Sequence, residues 1–155
     1  MNFDILKKTR GKEILTSHNI SLDNRATDKL QAIKMAGELL YSLGYVEKEY
    51  IEAMVEREKD ITTYIGNGVA IPHGVGASKK YIKSSGITIL QFPEGVSFGD
   101  EIAYLIVGIA GINDEHIGIL SNIATLMLER EEEFKSLWFT KDKESIYELF
   151  TAGTF

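Results

Sequence analysis

Three positions in this chain combine a reactive residue type with a context able to use it: a histidine after proline, a histidine beside two carboxylates, and a serine between glycines. His73 ends the run Val69-Ala70-Ile71-Pro72 and is followed by Gly74. Pro72 pushes Ile71 into extended geometry and removes an amide donor, so a strand arriving at Ile71 stops pairing there. Gly74 then permits a sharp change of direction. Ligands in open α/β sheets favour such strand exits. A histidine there can give one ring nitrogen to the backbone and keep the other for a partner. Neutral imidazole retains a lone pair near physiological pH and can form a covalent intermediate. Taken alone, a Pro-His-Gly triplet also fits an ordinary loop histidine, which is the commoner case.

The other chemical signals are weaker. Gly95-Val96-Ser97-Phe98-Gly99 matches G-x-S-x-G, the nucleophile elbow of serine hydrolases, and Asp114 and His116 follow as acid and base. The elbow requires strand, turn and helix in that order. Here Pro93-Glu94 precedes the motif and an apolar strand follows it, and Asp114 and His116 crowd one helix start. Gly66-Asn67-Gly68 opens like a dinucleotide fingerprint, but Ile71 stands where the third glycine belongs, and no G-K-[ST] follows. No ATP site is expected. His18, His73 and His116 share no short metal-ligand spacing, and His18 reads as a surface residue. The chain has no cysteine, which removes thiol catalysis, disulfides and thiolate metal sites, and suits a reducing cytosol.

The elements that must position these residues follow from periodicity. Thr27 is placed to cap a first helix whose apolar face is Leu30, Ile33, Ala36, Leu40 and Leu43, with Gly44 ending it. A second helix is predicted from about Glu47 to Lys59, with Tyr50, Ile51, Met54 and Val55 inward and Glu52, Glu56 and Glu58 mostly on the wet side. β-Formers then appear at Thr62 to Ile65, a turn at Gly66-Asn67-Gly68, and a short strand at Val69 to Ile71. Gly86 to Phe92 and Ile102 to Ala110 read as further strands, the latter apolar enough to be covered on both faces. Turns are predicted between them at Pro93-Glu94-Gly95 and Gly99-Asp100. From Asn113 or Asp114 a helix opens, with Ile117, Leu120, Ile123, Ala124 and Leu128 on one face. Two shorter helices are predicted around Glu131 to Trp138 and Glu144 to Thr151.

Helices, then strands, then helices indicate an α/β fold: a single-domain sandwich over residues 1–155, with a mixed central β-sheet flanked by helices on both faces. At 44% hydrophobic and 26% charged residues the composition is that of a globular protein. A net charge of −6 argues against nucleic acid or anionic lipid as the main partner, and leaves open a basic protein partner. The N-terminal stretch from Met1 to Leu15 has neither the long apolar run nor the small-residue cleavage site of a signal peptide, and no membrane-spanning helix is expected.

The longer stretch around His73 carries a resemblance. GNGVAIPHG resembles the active-site signature of the enzyme IIA proteins of the fructose–mannitol class of the bacterial sugar phosphotransferase system. GYVEKEYIEAMVEREKDITTYIGNGVAIPHG at residues 44–74, QFPEGVSFGDEIAYLIVGIAG at 91–111 and NDEHIGIL at 113–120 are similar to the mannitol branch. The resemblance implies that His73 is the phosphorylation site, loaded at Nε2 by the phosphocarrier protein HPr and unloaded to a cysteine on the IIB domain of a membrane permease. It implies a cytoplasmic protein that uses no metal or organic cofactor and never touches the sugar. Two more residues carry over by position. Arg57 corresponds to an arginine near the phosphoryl group, where a guanidinium can hold phosphate oxygens; by itself it also reads as a solvated helix arginine paired to Glu56 or Glu58. His116 corresponds to a supporting histidine; by itself it also reads as a polar residue at a helix start. Lys79 and Lys80 read as a solvated turn able to frame a phosphate-bearing partner. A fructose-type or nitrogen-regulatory enzyme IIA, a phosphate-receiving regulatory domain and a Ser97 hydrolase are the alternatives.

Overall fold

The computed structural model describes residues 13–152. The N-terminal twelve residues, within the stretch read as carrying neither leader nor spanning helix, and residues 153–155 lie outside the described region. A 3-10 turn, Ser17–Asn19, leads into β1 (Ile20–Ser21). Then come α1 (Lys29–Ser42), α2 (Glu49–Asp60), β2 (Tyr64–Gly66) and β3 (Val69–Ala70). A 3-10 segment, Gly76–Tyr81, precedes the hairpin of β4 (Gly86–Phe98) and β5 (Glu101–Ala110). Helices α3 (Glu115–Glu129), α4 (Glu131–Ser136) and α5 (Lys143–Thr151) follow.

The sheet has five strands in the order β1-β4-β5-β3-β2. β4 with β5 and β2 with β3 are antiparallel, while β1 with β4 and β3 with β5 are parallel, so the sheet is mixed. Period-two alternation sends β4 and β5 side chains to both faces. On one face Ile87, Ile89, Leu105, Val107 and Ile109 pack under α3, α4 and α5 through Ile123, Phe134 and Phe150. On the other, Leu90, Phe92, Ala103 and Ile106 pack under α1 and α2 through Ile33, Ala36, Leu40, Tyr50 and Met54. Burial on both sides is why β5 reads as an unbroken apolar run.

Several expectations shift. Asp28, not Thr27, caps α1: its carboxylate accepts from the Gln31 amide at 2.9 Å, while the Thr27 amide and hydroxyl both donate to Gln31 Oε1. Pro93-Glu94-Gly95 does not end a strand; it is absorbed by a register shift in β4 between Gln91 and Val96. The apolar stripe of α3 is rotated. Ile119, Ile123, Leu126 and Met127 face the sheet, whereas Ile117 and Leu128 are 57% and 82% exposed and Ala124 is also exposed. The helix is apolar enough to offer two stripes of helical period, and the sheet selects one. Glu58 is not on the wet side. Its buried carboxylate accepts from the Thr63 amide and hydroxyl at 2.8 and 2.7 Å and from Lys29 at 3.2 Å, fastening the end of α2 to the approach of β2. Among the described residues no helix is long and apolar enough to cross a membrane.

Candidate functional site

His73 stands where β3 leaves the sheet. Beyond Ala70 the chain keeps its place beside β5: the Ile109 amide donates to the Pro72 carbonyl at 3.0 Å, and His73 itself bridges Ile109 in parallel fashion. His73 is 9% exposed, and its Nδ1 lies 2.7 Å from the Ile71 carbonyl. A carbonyl only accepts, so Nδ1 carries the proton and the neutral ring presents its lone pair at Nε2. Burial, above all, holds the ring's pKa below the usual histidine value; the Ile71 bond opposes this, and the charges of Arg57, His116 and Lys79 reinforce it. The resting ring is therefore neutral.

The loop after His73 is held by Tyr50 of α2. Its hydroxyl donates to the Ile109 carbonyl and accepts from the Gly74 amide, each at 2.8 Å. Burial pushes the Tyr50 pKa up to about 12, so the bridge keeps its proton across the physiological range. Gly74 is required by this contact: a Cβ there would lie 2.6 Å from Ser78 Oγ and 2.8 Å from the Tyr50 ring.

His116, in the first turn of α3, comes to the same place from across the fold. Its ring centroid is 6.2 Å from that of His73, with the planes 35° apart. Gly111 permits the approach, because a Cβ there would sit 2.3 Å from the His116 amide nitrogen. Ser85 fixes the loop between them, accepting from the Ile112 amide at 2.8 Å and donating to the Glu115 carboxylate. His116 Nδ1 is buried without a hydrogen-bond partner. Burial and the Lys79 charge lower the ring's pKa, against the pull of Asp114 and the Asn113 backbone.

Arg57 lies in the last turn of α2, near enough for its charge to bear on His73. Its Nη1 donates to the Ile61 carbonyl at 2.6 Å. The acidic neighbours that the sequence offered it are engaged elsewhere: Glu56 pairs with Lys59, and Glu58 with Thr63 and Lys29. Lys79, read from sequence as part of a solvated turn, belongs to the site. Lys80 does not share its contacts; its ammonium sits over the Tyr81 ring. Val75 and Ile117, next to Gly74 and His116 in the chain, are 46% and 57% exposed and add apolar surface. Sequence reasoning passed over Tyr50, Gly111 and Ser85. Tyr50 lay in an apolar stripe with nothing to separate it from other core residues, while Gly111, ending a strand just ahead of a helix, was the one legible hint.

Ser97 is elsewhere. It lies near the β4–β5 turn, where its hydroxyl donates to the Gly99 carbonyl at 2.9 Å. The context is strand–turn–strand, so there is no nucleophile elbow. The site is at the opposite end of the hairpin: Ser97 pairs with Ile102 and His73 with Ile109, roughly 23 Å apart at the rise of an extended strand.

The arrangement is a neutral imidazole with a free Nε2, flanked by a second imidazole and two cations: an acceptor for a transferable anionic group. A family model for the phosphoenolpyruvate-dependent sugar phosphotransferase system, EIIA 2, matches residues 13–153. The chain belongs to that family. Within the EIIA 2 family, a mannitol-specific phosphotransferase enzyme IIA component of Geobacillus stearothermophilus is 50% identical over 119 residues, covering 76% of this chain and 82% of that one. A mannitol-specific EIICBA component of Buchnera aphidicola is 44% identical over 140 residues, covering 88% of this chain but 22% of that protein, so the chain spans about a fifth of these longer relatives. The solved complex of mannitol enzyme IIA with phosphorylated mannitol enzyme IIB from Escherichia coli contains a chain that superposes with a TM-score of 0.84 at 39% identity, covering 89% of this chain and 97% of that one.

Proposed function

We propose that this chain is the phosphoryl carrier of a mannitol phosphotransferase system, working in the cytoplasm between HPr and the IIB domain of a mannitol permease. The observation that carries this reading is the bond from His73 Nδ1 to the Ile71 carbonyl, which leaves Nε2 as the nucleophilic nitrogen. The lone pair of Nε2 attacks the phosphorus of phosphohistidine on HPr. The new N–P bond forms as the old one breaks, and the HPr imidazole leaves with its electron pair. In the second step a thiolate on IIB attacks the same phosphorus, and the His73 N–P bond breaks in turn. Both steps exchange one protein side chain for another at phosphorus, so the site acts by alignment and by offsetting charge on the phosphoryl oxygens. Arg57 supplies a planar donor pair and His116 an N–H for those oxygens. The mannitol branch, rather than a fructose-type or nitrogen-regulatory one, is supported by the names of the relatives at 44–50% identity.

Incubation with phosphoenolpyruvate, enzyme I and HPr is expected to give an acid-labile, base-stable phosphoprotein, as a P–N bond requires. His73→Ala abolishes the label. A label that persists in that variant refutes the assignment.

A further inference from the structure

We infer that Lys79 is a positioning residue for phosphoryl transfer, crossing from the loop after His73 to the loop that opens α3 and setting where His116 stands against His73. The inference rests on the site reading above and deepens it. Lys79 lies in the 3-10 segment Gly76–Tyr81. Its backbone is fastened close to His73: neighbouring Ser78 donates to the Val75 carbonyl at 2.8 Å and packs against Gly74. From there Lys79 Nζ donates to the Asn113 carbonyl at 3.1 Å and lies 3.4 Å from Asp114 Oδ1. Asn113 and Asp114 lead directly into Glu115 and His116.

Two further observations bear on how this contact organises the start of α3. Asn113 stands in the left-handed region at φ 56°, which asparagine accepts, and its carbonyl there receives Lys79. Asp114 occupies the N-cap position, where an aspartate normally accepts from the first-turn amides, yet it makes no such bond. Its carboxylate is turned to Lys79 instead. The first turn of α3 thus takes its placement from Lys79 on one side and Ser85 on the other. Lys79 thus ties the His116 loop to the loop that follows His73.

The pH dependence gives a readout that a purely structural residue would not move. His73 is faced by Arg57, Lys79, His116 and the neutral Tyr50; His116 is faced by Lys79, Asp114 and His73, with Glu115 engaged by Ser85. Burial leads in depressing both rings, and the Lys79 cation adds to it in each. Removing the cation raises both pKa values. Loading requires neutral His73, so the acid limb of the loading rate moves to higher pH.

The test is rapid-quench loading from phospho-HPr, then onward transfer to IIB, between about pH 5 and 8, where histidines titrate. It compares wild type with Lys79→Met, Lys79→Arg and the control Lys143→Met, an exposed lysine at the start of α5. Lys79→Met is expected to lower both plateau rates roughly ten- to hundredfold, the scale of a misplaced reacting group, and to shift the acid limb upward. Lys79→Arg recovers part of both, and Lys143→Met behaves as wild type. A folded Lys79→Met with the wild-type plateau overturns the proposal, as does a lowered plateau that Lys79→Arg leaves wholly unrestored. Should Lys79→Met not fold, Lys79→Gln takes its place under the same criteria. Absence of label on His73 in the wild type would sink the site reading itself, a result distinct from either.

Discussion

Tyr50→Phe removes one oxygen atom from the core beneath His73, and its consequences are large for so small a change. The hydroxyl is buried and serves two backbone groups, the Gly74 amide and the Ile109 carbonyl, each at 2.8 Å. The carbonyl has a second lone pair and tolerates the loss. The amide has one proton, and the Tyr50 hydroxyl is the acceptor that it meets among the described residues. A buried donor left unsatisfied costs about 1–3 kcal/mol. Taking about 2 kcal/mol, a domain of this size melts roughly 4–8 °C lower. Loading of His73 slows as well, because the loop that aims the ring loses its tie. Alkaline pH gives a second measure. The hydroxyl has a pKa of about 12 in the folded state, above its value in the unfolded chain. Its stabilisation is complete below the unfolded value of about 10 and is lost as pH rises towards the folded one, a total on the order of 2–3 kcal/mol. The Phe variant lacks this component, so the stability gap between the two proteins narrows over that window. Thermal unfolding at pH 7, urea unfolding at intervals above pH 9 and rapid-quench loading on the same samples measure all three effects. A variant that melts within about 1 °C of wild type and loads at the wild-type rate would show that the Tyr50 bridge holds nothing.

Two other substitutions test the groups around His73. Arg57→Ala is expected to slow transfer by about 10²–10³, the usual cost of one transition-state donor, and Arg57→Lys recovers only part because it lacks the planar fork; unchanged rates with a normal melt would leave Arg57 as the partner of the Ile61 carbonyl and no more. His116→Gln keeps a donor but not its placement. It is expected to impair onward transfer to IIB at least as much as loading from HPr, by roughly tenfold or more, and wild-type rates in both steps would return His116 to the role of a helix-end residue.

The most local features of the site were the most legible. Pro72 and Gly74 mark a strand exit by their own backbone restrictions, so the position of His73 could be read without knowing its neighbours. Arg57 and His116 needed the family resemblance, because nothing in their own segments says that a helix end and a helix start meet. Glu58 was misplaced because charge predicts solvent and only its tertiary partners, Thr63 and Lys29, draw it in; Lys79 stays part-exposed in its turn, and its contacts with Asn113 and Asp114 depend on the fold. The stripe of α3 was misread because Ile117 and Leu128 satisfy the helical period as well as the residues that the sheet covers. The β4 turn at Pro93 was misread because a bulge accommodates a proline that a regular ladder rejects.

The bond from His73 to Ile71 spans two residues of one segment, whereas His116 reaches the site through contacts more than thirty residues apart along the chain. The two imidazoles therefore differ in how much of the molecule must be intact to keep them in place. A fluctuation that frays the first turn of α3 carries His116 away and leaves the His73 ring at its angle, still nucleophilic but without its companion. Under the proposed function, local opening at α3 would separate the ability to take a phosphoryl group from the ability to steady it, and the free energy of that opening would bound how often the site stands half-assembled.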